Sequence, residues 1–212
     1  MKTGIIWDLD GTLLDTLEDL ADGVNHTMVH FGYPQRTVEE VRRFVGNGAR
    51  RLIVQAAPEG ADVDAVLAEF QRFYGTHCQI KTRPYSGILS ALTRIGEKYP
   101  LAIVSNKPDG AVKSLCAQYF PGIYARGESA ECPRKPAPDM VYKAMEEIGV
   151  ERCIYVGDSE VDVRTAKNAG VPCLSVLWGF RDKADMEAEG ACFFCERPEE
   201  LFEKIEEIIH GE

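Results

Sequence analysis

Two carboxylates, Asp8 and Asp10, leave the end of a short apolar run, Ile5-Ile6-Trp7, with Leu9 between them and Gly11 directly behind. Acids in that position are costly unless a cation or a proton offsets their desolvation. Taken alone, the stretch serves equally well as a turn with Asp10 as helix cap or as a pair of acids assembled for chemistry. Three further segments bear on the choice. Ser105-Asn106-Lys107 follows a second apolar run, Lys135 stands between Arg134 and Pro136, and Gly157-Asp158-Ser159-Glu160-Val161-Asp162 follows a third.

The chemistry these residue types suit is phosphoryl transfer through the protein. Asp8 can attack phosphorus and form an aspartyl-phosphate. Asp10 can protonate the leaving oxygen and then activate water. Two carboxylates and a dianionic ester repel one another, at roughly 4 kcal/mol per like-charged pair for a separation of about 4 Å and an effective dielectric of about 20. A divalent cation is therefore required. Asp8 and Asp158 are its hard oxygen ligands in this reading, and Mg²⁺ fits them best. Lys135 would neutralise nucleophile and phosphate, while Ser105 and nearby backbone N–H groups hold phosphate oxygens.

Such residues must be brought to one edge, and the elements are legible. The run through Trp7 reads as a buried strand, Gly11 permits a sharp turn, and helical spacing is expected from Leu13 through Leu17, Leu20, Val24, Met28 and Phe31, ending at Gly32 and Pro34. Thr37-Val38-Glu39-Glu40 is a capping-box pattern opening a second helix. Gly46-Asn47-Gly48 interrupts it, and another helix begins near Asp62. After Arg83-Pro84 helices alternate with short apolar strands: Leu101–Val104, a strand near Ile123-Tyr124, Cys153–Val156, Pro172–Leu177 and a weak strand at Ala191–Phe194, before a helix from Pro198. Alternation of this kind predicts an α/β fold, a doubly wound, mostly parallel sheet with a Rossmann-like core and an inserted all-helical cap. Residues 1–14 and 83–212 would be the catalytic core and 15–82 the cap. In such sheets ligands bind beyond the C-terminal strand ends, which is where the acids, Ser105 and Asp158 fall. The Lys135-Pro136 bond is expected to be cis, because the loop must aim the lysine inward and X–Pro bonds tolerate cis at low cost.

Asp8-Leu9-Asp10-Gly11-Thr12-Leu13, Ser105-Asn106-Lys107, Lys135-Pro136 and Gly157-Asp158-Ser159-x-x-Asp162 resemble, in order, the motifs of the haloacid dehalogenase-like phosphohydrolases. Val45-Gly46-Asn47-Gly48-Ala49-Arg50 and Ala166-x-x-Ala169-Gly170 are similar to the phosphoglycolate phosphatase branch. The resemblance covers nearly the whole chain. It implies that Asp8 and Asp158 ligate Mg²⁺, that Asp10 adds its backbone carbonyl, and that Asp162 holds metal-bound water. It also implies that Asp10 argues for phosphate over dehalogenation chemistry, since the dehalogenases lack the second acid. Glu160 departs by adding an acid at a variable position of the last motif.

Candidate substrate contacts are Thr12, Asn47, Gly48, Arg50 and Asn106. Each has a plainer use: Thr12 as a structural cap, Asn47 and Gly48 as a helix break, Arg50 as a solvated arginine. Asp158 and Asp162 also suit a helix N-terminus. Trp178-Gly179-Phe180 reads as packing plus a turn.

Composition narrows the partners. The 212 residues are 45% hydrophobic with a formal charge of −10, which argues against nucleic acid or anionic membrane as partner but not against a small phosphate ester held by local cations. No apolar run reaches membrane-spanning length and no leader pattern precedes the first strand, so a cytoplasmic protein, monomer or homodimer, is expected. The seven cysteines are odd in number and mostly lie in apolar segments, as packed thiols do. Cys192 and Cys195 have redox spacing but no second pair, and read as part of a strand. The runner-up activity is a phosphosugar mutase sharing Asp8 and Asp10. A non-catalytic binding module is the third reading.

Overall fold

The computed structural model describes residues 2–130 and 132–211. The chain forms two compact units, one from residues 1–14 with 84–212 and one from residues 15–83. In chain order the first elements are β1 (Thr3–Trp7), β2 (Leu14–Asp15), α1 (Leu17–His30), α2 (Val38–Phe44), α3 (Gly48–Ala56), α4 (Val63–His77) and β3 (Arg83–Pro84). Then come α5 (Ile88–Gly96), β4 (Leu101–Pro108), α6 (Asp109–Tyr119), β5 (Tyr124–Glu128), α7 (Asp139–Glu147) and β6 (Arg152–Gly157). The chain finishes with α8 (Glu160–Ala169), β7 (Cys173–Val176), α9 (Lys183–Ala188), β8 (Phe193–Cys195), a 3₁₀ turn (Pro198–Glu200) and α10 (Leu201–His210).

The larger unit carries a six-stranded sheet in the order β5-β4-β1-β6-β7-β8, and every neighbouring pair is parallel. Both of its faces are covered, which is why β1 reads as an unbroken apolar run. Ile5 and Trp7 point into one layer with Ile103, Ile154, Val156 and the buried sides of α5, α6 and α10. Ile6 points into the other with Ala102, Val104, Tyr155 and residues Met140, Val141 and Ala144 of α7. After β1 the chain fills β4 and β5 on one side, then crosses to β6, β7 and β8 on the other. The strand order thus reverses at β1, and the crevice there is where such sheets take ligands.

The helical unit is built on α1 and α4. Gly23 of α1 lets Phe70 and Tyr74 come close, since a Cβ there would lie 3.1 Å from each ring. The Thr37–Glu40 capping box is present, with Thr37 N–H donating to Glu40 Oε2 at 2.7 Å. Asp62 caps α4 through the N–H groups of Asp64 and Ala65. Asp19 is buried and accepts from the N–H groups of Ile80, Lys81 and Thr82, fixing the segment that leaves α4.

Several boundaries differ from the sequence reading. The helix expected from Leu13 starts at Leu17. The intervening residues form a tight loop in which Gly11 takes φ +89° and its N–H donates to Leu14 O. β4 runs on past Val104 to Pro108 with an irregular register, so Ser105, Asn106 and Lys107 lie on the strand rather than after it. The short α9 was not expected, having Met186 as its one buried residue and hence no periodic signal. Among the described residues, no helix is long and apolar enough to cross a membrane.

Candidate active site

Asp8 leaves β1 with its N–H bonded to Val156 O at 2.8 Å, which fixes its carboxylate at the sheet's C-terminal edge. Lys135 reaches the same point from the loop before α7. Its Nζ lies 2.7 Å from Asp8 Oδ1 and 2.8 Å from Asp162 Oδ1, and it bonds the Tyr155 hydroxyl at 3.0 Å. The residue is only 3% exposed. Its backbone is held at both polar atoms by one side chain: Lys135 N donates to Asn106 Oδ1 at 2.7 Å, and Asn106 Nδ2 donates to Lys135 O at 3.0 Å. The Lys135-Pro136 bond is cis, as the sequence reading expected.

Asp162 opens α8. One carboxylate oxygen accepts from Lys135 and from the Tyr155 hydroxyl, the other from Ser159 N and Ser159 Oγ at 3.1 and 2.6 Å. The helix-cap use and the use beside Lys135 are therefore not alternatives. Asp162 does both. Asp158 accepts from Thr12 Oγ1 at 2.9 Å on one oxygen and from Phe180 N at 2.8 Å on the other. Three glycines make room for these acids. A Cβ on Gly11 would fall 2.4 Å from Asp158 Oδ2, one on Gly179 2.3 Å from Asp158 Cβ, and one on Gly157 2.3 Å from Asp162 Cβ.

Asp8, Asp158 and Asp162 each offer a carboxylate oxygen within 4.8 Å of the others. Asp10 is held on a different side, 2.9 Å from Lys107 Nζ and 3.4 Å from Ser105 Oγ. The electrostatics record the crowding. Burial, then the Asp162 carboxylate, push the Asp8 carboxyl well above its ordinary range, against the pull of Lys135. Burial and then Asp162 lift Asp158 to about 7, against its bonds from Phe180 and Thr12. Burial alone would lower the Lys135 ammonium, but Asp162 and Asp8 outweigh it and the net shift is upward. An oxygen-only cluster with more negative charge than its lysine cancels is a good match to a hard divalent cation.

A prediction follows for protein kept free of divalent cations. Because the folded state holds the Asp158 proton more tightly than the unfolded chain, the associated stability is present below about pH 3.8 and is lost as pH rises through about 7. Asp8 shifts in the same direction. Thermal melts in chelator should therefore show a falling melting temperature between about pH 5 and 7.5, a loss that added Mg²⁺ reverses. A flat or rising profile would contradict the crowding of these acids.

Of the residues singled out in the sequence, Asp8, Asp10, Thr12, Ser105, Asn106, Lys135, Asp158 and Asp162 come together in the larger unit. Asn47, Gly48 and Arg50 belong to the helical unit, where Asn47 precedes α3, Gly48 takes φ +80° and Arg50 pairs with Asp64. Glu160 pairs with Arg181 at 3.0 Å. Tyr155, Ser159, Lys107 and the Phe180 N–H were given no role in the site by the sequence reading. Lys107 had a readable signal, since residues two apart on a strand share a face and it stands two beyond Ser105. A backbone donor such as Phe180 N has none. Cys195 is buried in β8, while Cys192, just before it, is exposed.

Residues 5–176 match the model of the haloacid dehalogenase-like hydrolase family. Phosphoglycolate phosphatase of Rhodobacter capsulatus is 35% identical over 193 residues, covering 85% of this chain and 87% of that protein. The Pseudomonas putida phosphoglycolate phosphatase is 34% identical over 199 residues, covering 87% and 73%. A crystal structure of a candidate phosphoglycolate phosphatase from Lactobacillus delbrueckii subsp. bulgaricus superposes with a TM-score of 0.90 at 36% identity, covering all of both chains. The chain belongs to the haloacid dehalogenase-like hydrolases.

Proposed function

We propose that the protein is a Mg²⁺-dependent phosphatase that hydrolyses a small organic phosphate monoester, phosphoglycolate being the leading candidate, through an aspartyl-phosphate on Asp8. The observation that carries this is the convergence of Lys135 Nζ on Asp8 and Asp162 at 2.7 and 2.8 Å, with Asp158 in the same oxygen cluster. Asp8 is the nucleophile, and Asp10 serves as acid for the leaving oxygen and then as base for water. Lys135 holds the Asp8 carboxylate in place and offsets charge on the phosphoryl group, and Ser105 with neighbouring N–H groups supports phosphate oxygens. Asp8, Asp158, the Asp10 carbonyl and, through water, Asp162 would hold Mg²⁺, which supplies charge neutralisation for an anionic ester at an anionic nucleophile. Thr12 and Asn106 act here as positioning residues, one for Asp158 and one for Lys135. The helical unit is the cap that excludes water and selects the leaving group, with Asn47, Gly48 and Arg50 as its candidate contacts.

The test is a phosphate-release screen over small metabolite esters, with Mg²⁺ and with chelator. Release confined to the Mg²⁺ arm is expected. Release unaffected by chelator would reject the metal assignment, and isomerisation of a hexose phosphate without net release would favour a mutase.

Gly179→Ala probes the cradle. Its Cβ would displace the Asp158 carboxylate, and outer-sphere disturbances of this kind typically cost about 10- to 100-fold in metal affinity. The Mg²⁺ concentration giving half-maximal activity should rise by about that factor. An unchanged Mg²⁺ requirement would show that Asp158 does not bind the cation.

A further inference from the structure

Cys192 and Cys195 have the spacing of a redox pair, but the fold separates them. A disulfide spans about 4.4–6.8 Å between Cα atoms, whereas positions three apart in an extended chain lie roughly 10 Å apart and on opposite faces. Cys195 closes β8, buried in one layer with Leu174 and Val176, and its Sγ donates to Arg197 O at 3.2 Å. Cys192 stands directly before β8 and is exposed. Its neighbour lies across the ladder. β8 is the edge strand and pairs with β7 in the register Leu174↔Phe193, Ser175↔Phe194 and Val176↔Cys195. One step back along that register, Cys192 stands opposite Cys173, the first residue of β7 and a partly buried thiol.

The faces agree as well. Leu174 and Val176 point into the layer of Cys195, so alternation sends Cys173 and Cys192 to the other, where Cys173 packs against the layer holding Tyr155 and Ala166. Adjacent strands lie about 4.7–4.9 Å apart, inside the span that a disulfide bridges. Burial, then the Asp162 carboxylate, push the Cys173 thiol up to about 12, and Cys192 adds to the rise, so the two sulfurs are in electrostatic reach. On its other side Cys173 faces Tyr155 of β6 rather than a cysteine. The pair is also unequal in access. Solvent meets Cys192 first, and the more buried Cys173 waits beside it as a thiol.

We propose that Cys173 and Cys192 form a reversible oxidation site, in which a hydroperoxide oxidises Cys192 and Cys173 resolves it as a cross-strand disulfide. The proposal is independent of the phosphatase reading. With hydrogen peroxide, the Cys192 sulfur takes one oxygen to become a sulfenic acid, and water is released. The Cys173 sulfur then bonds to the Cys192 sulfur, and the hydroxyl leaves with the Cys173 proton as a second water. Two thiols lose two electrons and the peroxide gains them. Dithiothreitol restores both thiols by exchange. In the experiment, reduced protein freed of reductant is treated with hydrogen peroxide, remaining thiols are blocked in denaturant, and peptides are mapped without reduction by mass spectrometry. Two of the seven thiols should be lost. The peptides holding Cys173 and Cys192 should appear joined and lighter by two hydrogens, and dithiothreitol should part them. Cys195→Ala should leave the link intact, and Cys173→Ala should leave a sulfenic acid on Cys192 that dimedone captures. Should either variant not fold, the map of the parent protein decides. A Cys192–Cys195 link, a disulfide joining two copies through Cys192, sulfinic acid on Cys192 with Cys173 still a thiol, or retention of all seven thiols would each overturn the proposal.

Discussion

Asp8→Asn is expected to lower phosphate release on the order of 10³-fold or more, the scale seen when a nucleophile is removed, while leaving the protein folded. The second half of that expectation is specific to this site. Asp8 is buried beside Asp162 and Asp158, and both the burial and the neighbours penalise its charge. A neutral amide of nearly the same shape removes that penalty, and Lys135 keeps its bond to Asp162 at 2.8 Å. The melting temperature of the metal-free variant should therefore equal or exceed that of the parent. Steady-state release from p-nitrophenyl phosphate, paired with a thermal melt, checks both halves. Retained turnover would reject Asp8 as nucleophile, and a collapsed melting temperature would show that its charge is needed for folding.

Lys135→Met is the second large effect, and its sign in stability is the reverse. The side chain neutralises Asp8 and Asp162 together, at 2.7 and 2.8 Å, in a site from which water is largely excluded. Breaking a buried pair by removing one partner typically costs about 3–5 kcal/mol. At about 2–4 °C per kcal/mol for a chain of this size, the melting temperature should fall by roughly 10 °C near neutral pH. The loss should shrink in acid, where the buried Asp8 carboxylate takes up a proton. Activity should fall by about 10²- to 10³-fold, as when another preorganised electrostatic contact is removed. Lys135→Arg should not restore it, because a planar guanidinium cannot reproduce a point charge shared by two carboxylates and a hydroxyl. Equal melting temperatures for parent and Lys135→Met at pH 7 would show that the ammonium does not compensate these acids.

Much of this was legible in the chain because it rests on local rules. The run through Trp7 needed only burial on both faces to read as a buried strand of a parallel sheet, and the Thr37 capping box was visible as a four-residue pattern. The acids became informative through their order along the chain, since each follows an apolar run that parallel topology brings to one edge. What escaped reading depends on long-range packing. Asn106 looks like a phosphate-site amide in sequence, yet its amide bonds both polar backbone atoms of Lys135, a residue distant in the chain. Thr12 is paired with Asp158, 146 residues further along the chain. Trp178-Gly179-Phe180 read as packing and a turn, and its Phe180 N–H proves to hold Asp158, because a backbone donor carries no residue-type signature. Asp162 read as either cap or site residue, whereas its two oxygens divide those tasks.

The most direct measurement is chemical trapping of the acyl-phosphate during turnover. Borohydride added to protein turning over phosphoglycolate in Mg²⁺ should reduce the phosphorylated carboxylate to homoserine, and peptide mass spectrometry should find that change at position 8 and nowhere else. Homoserine at another acid, or sustained turnover with Asp8 untouched by the reductant, would contradict the account.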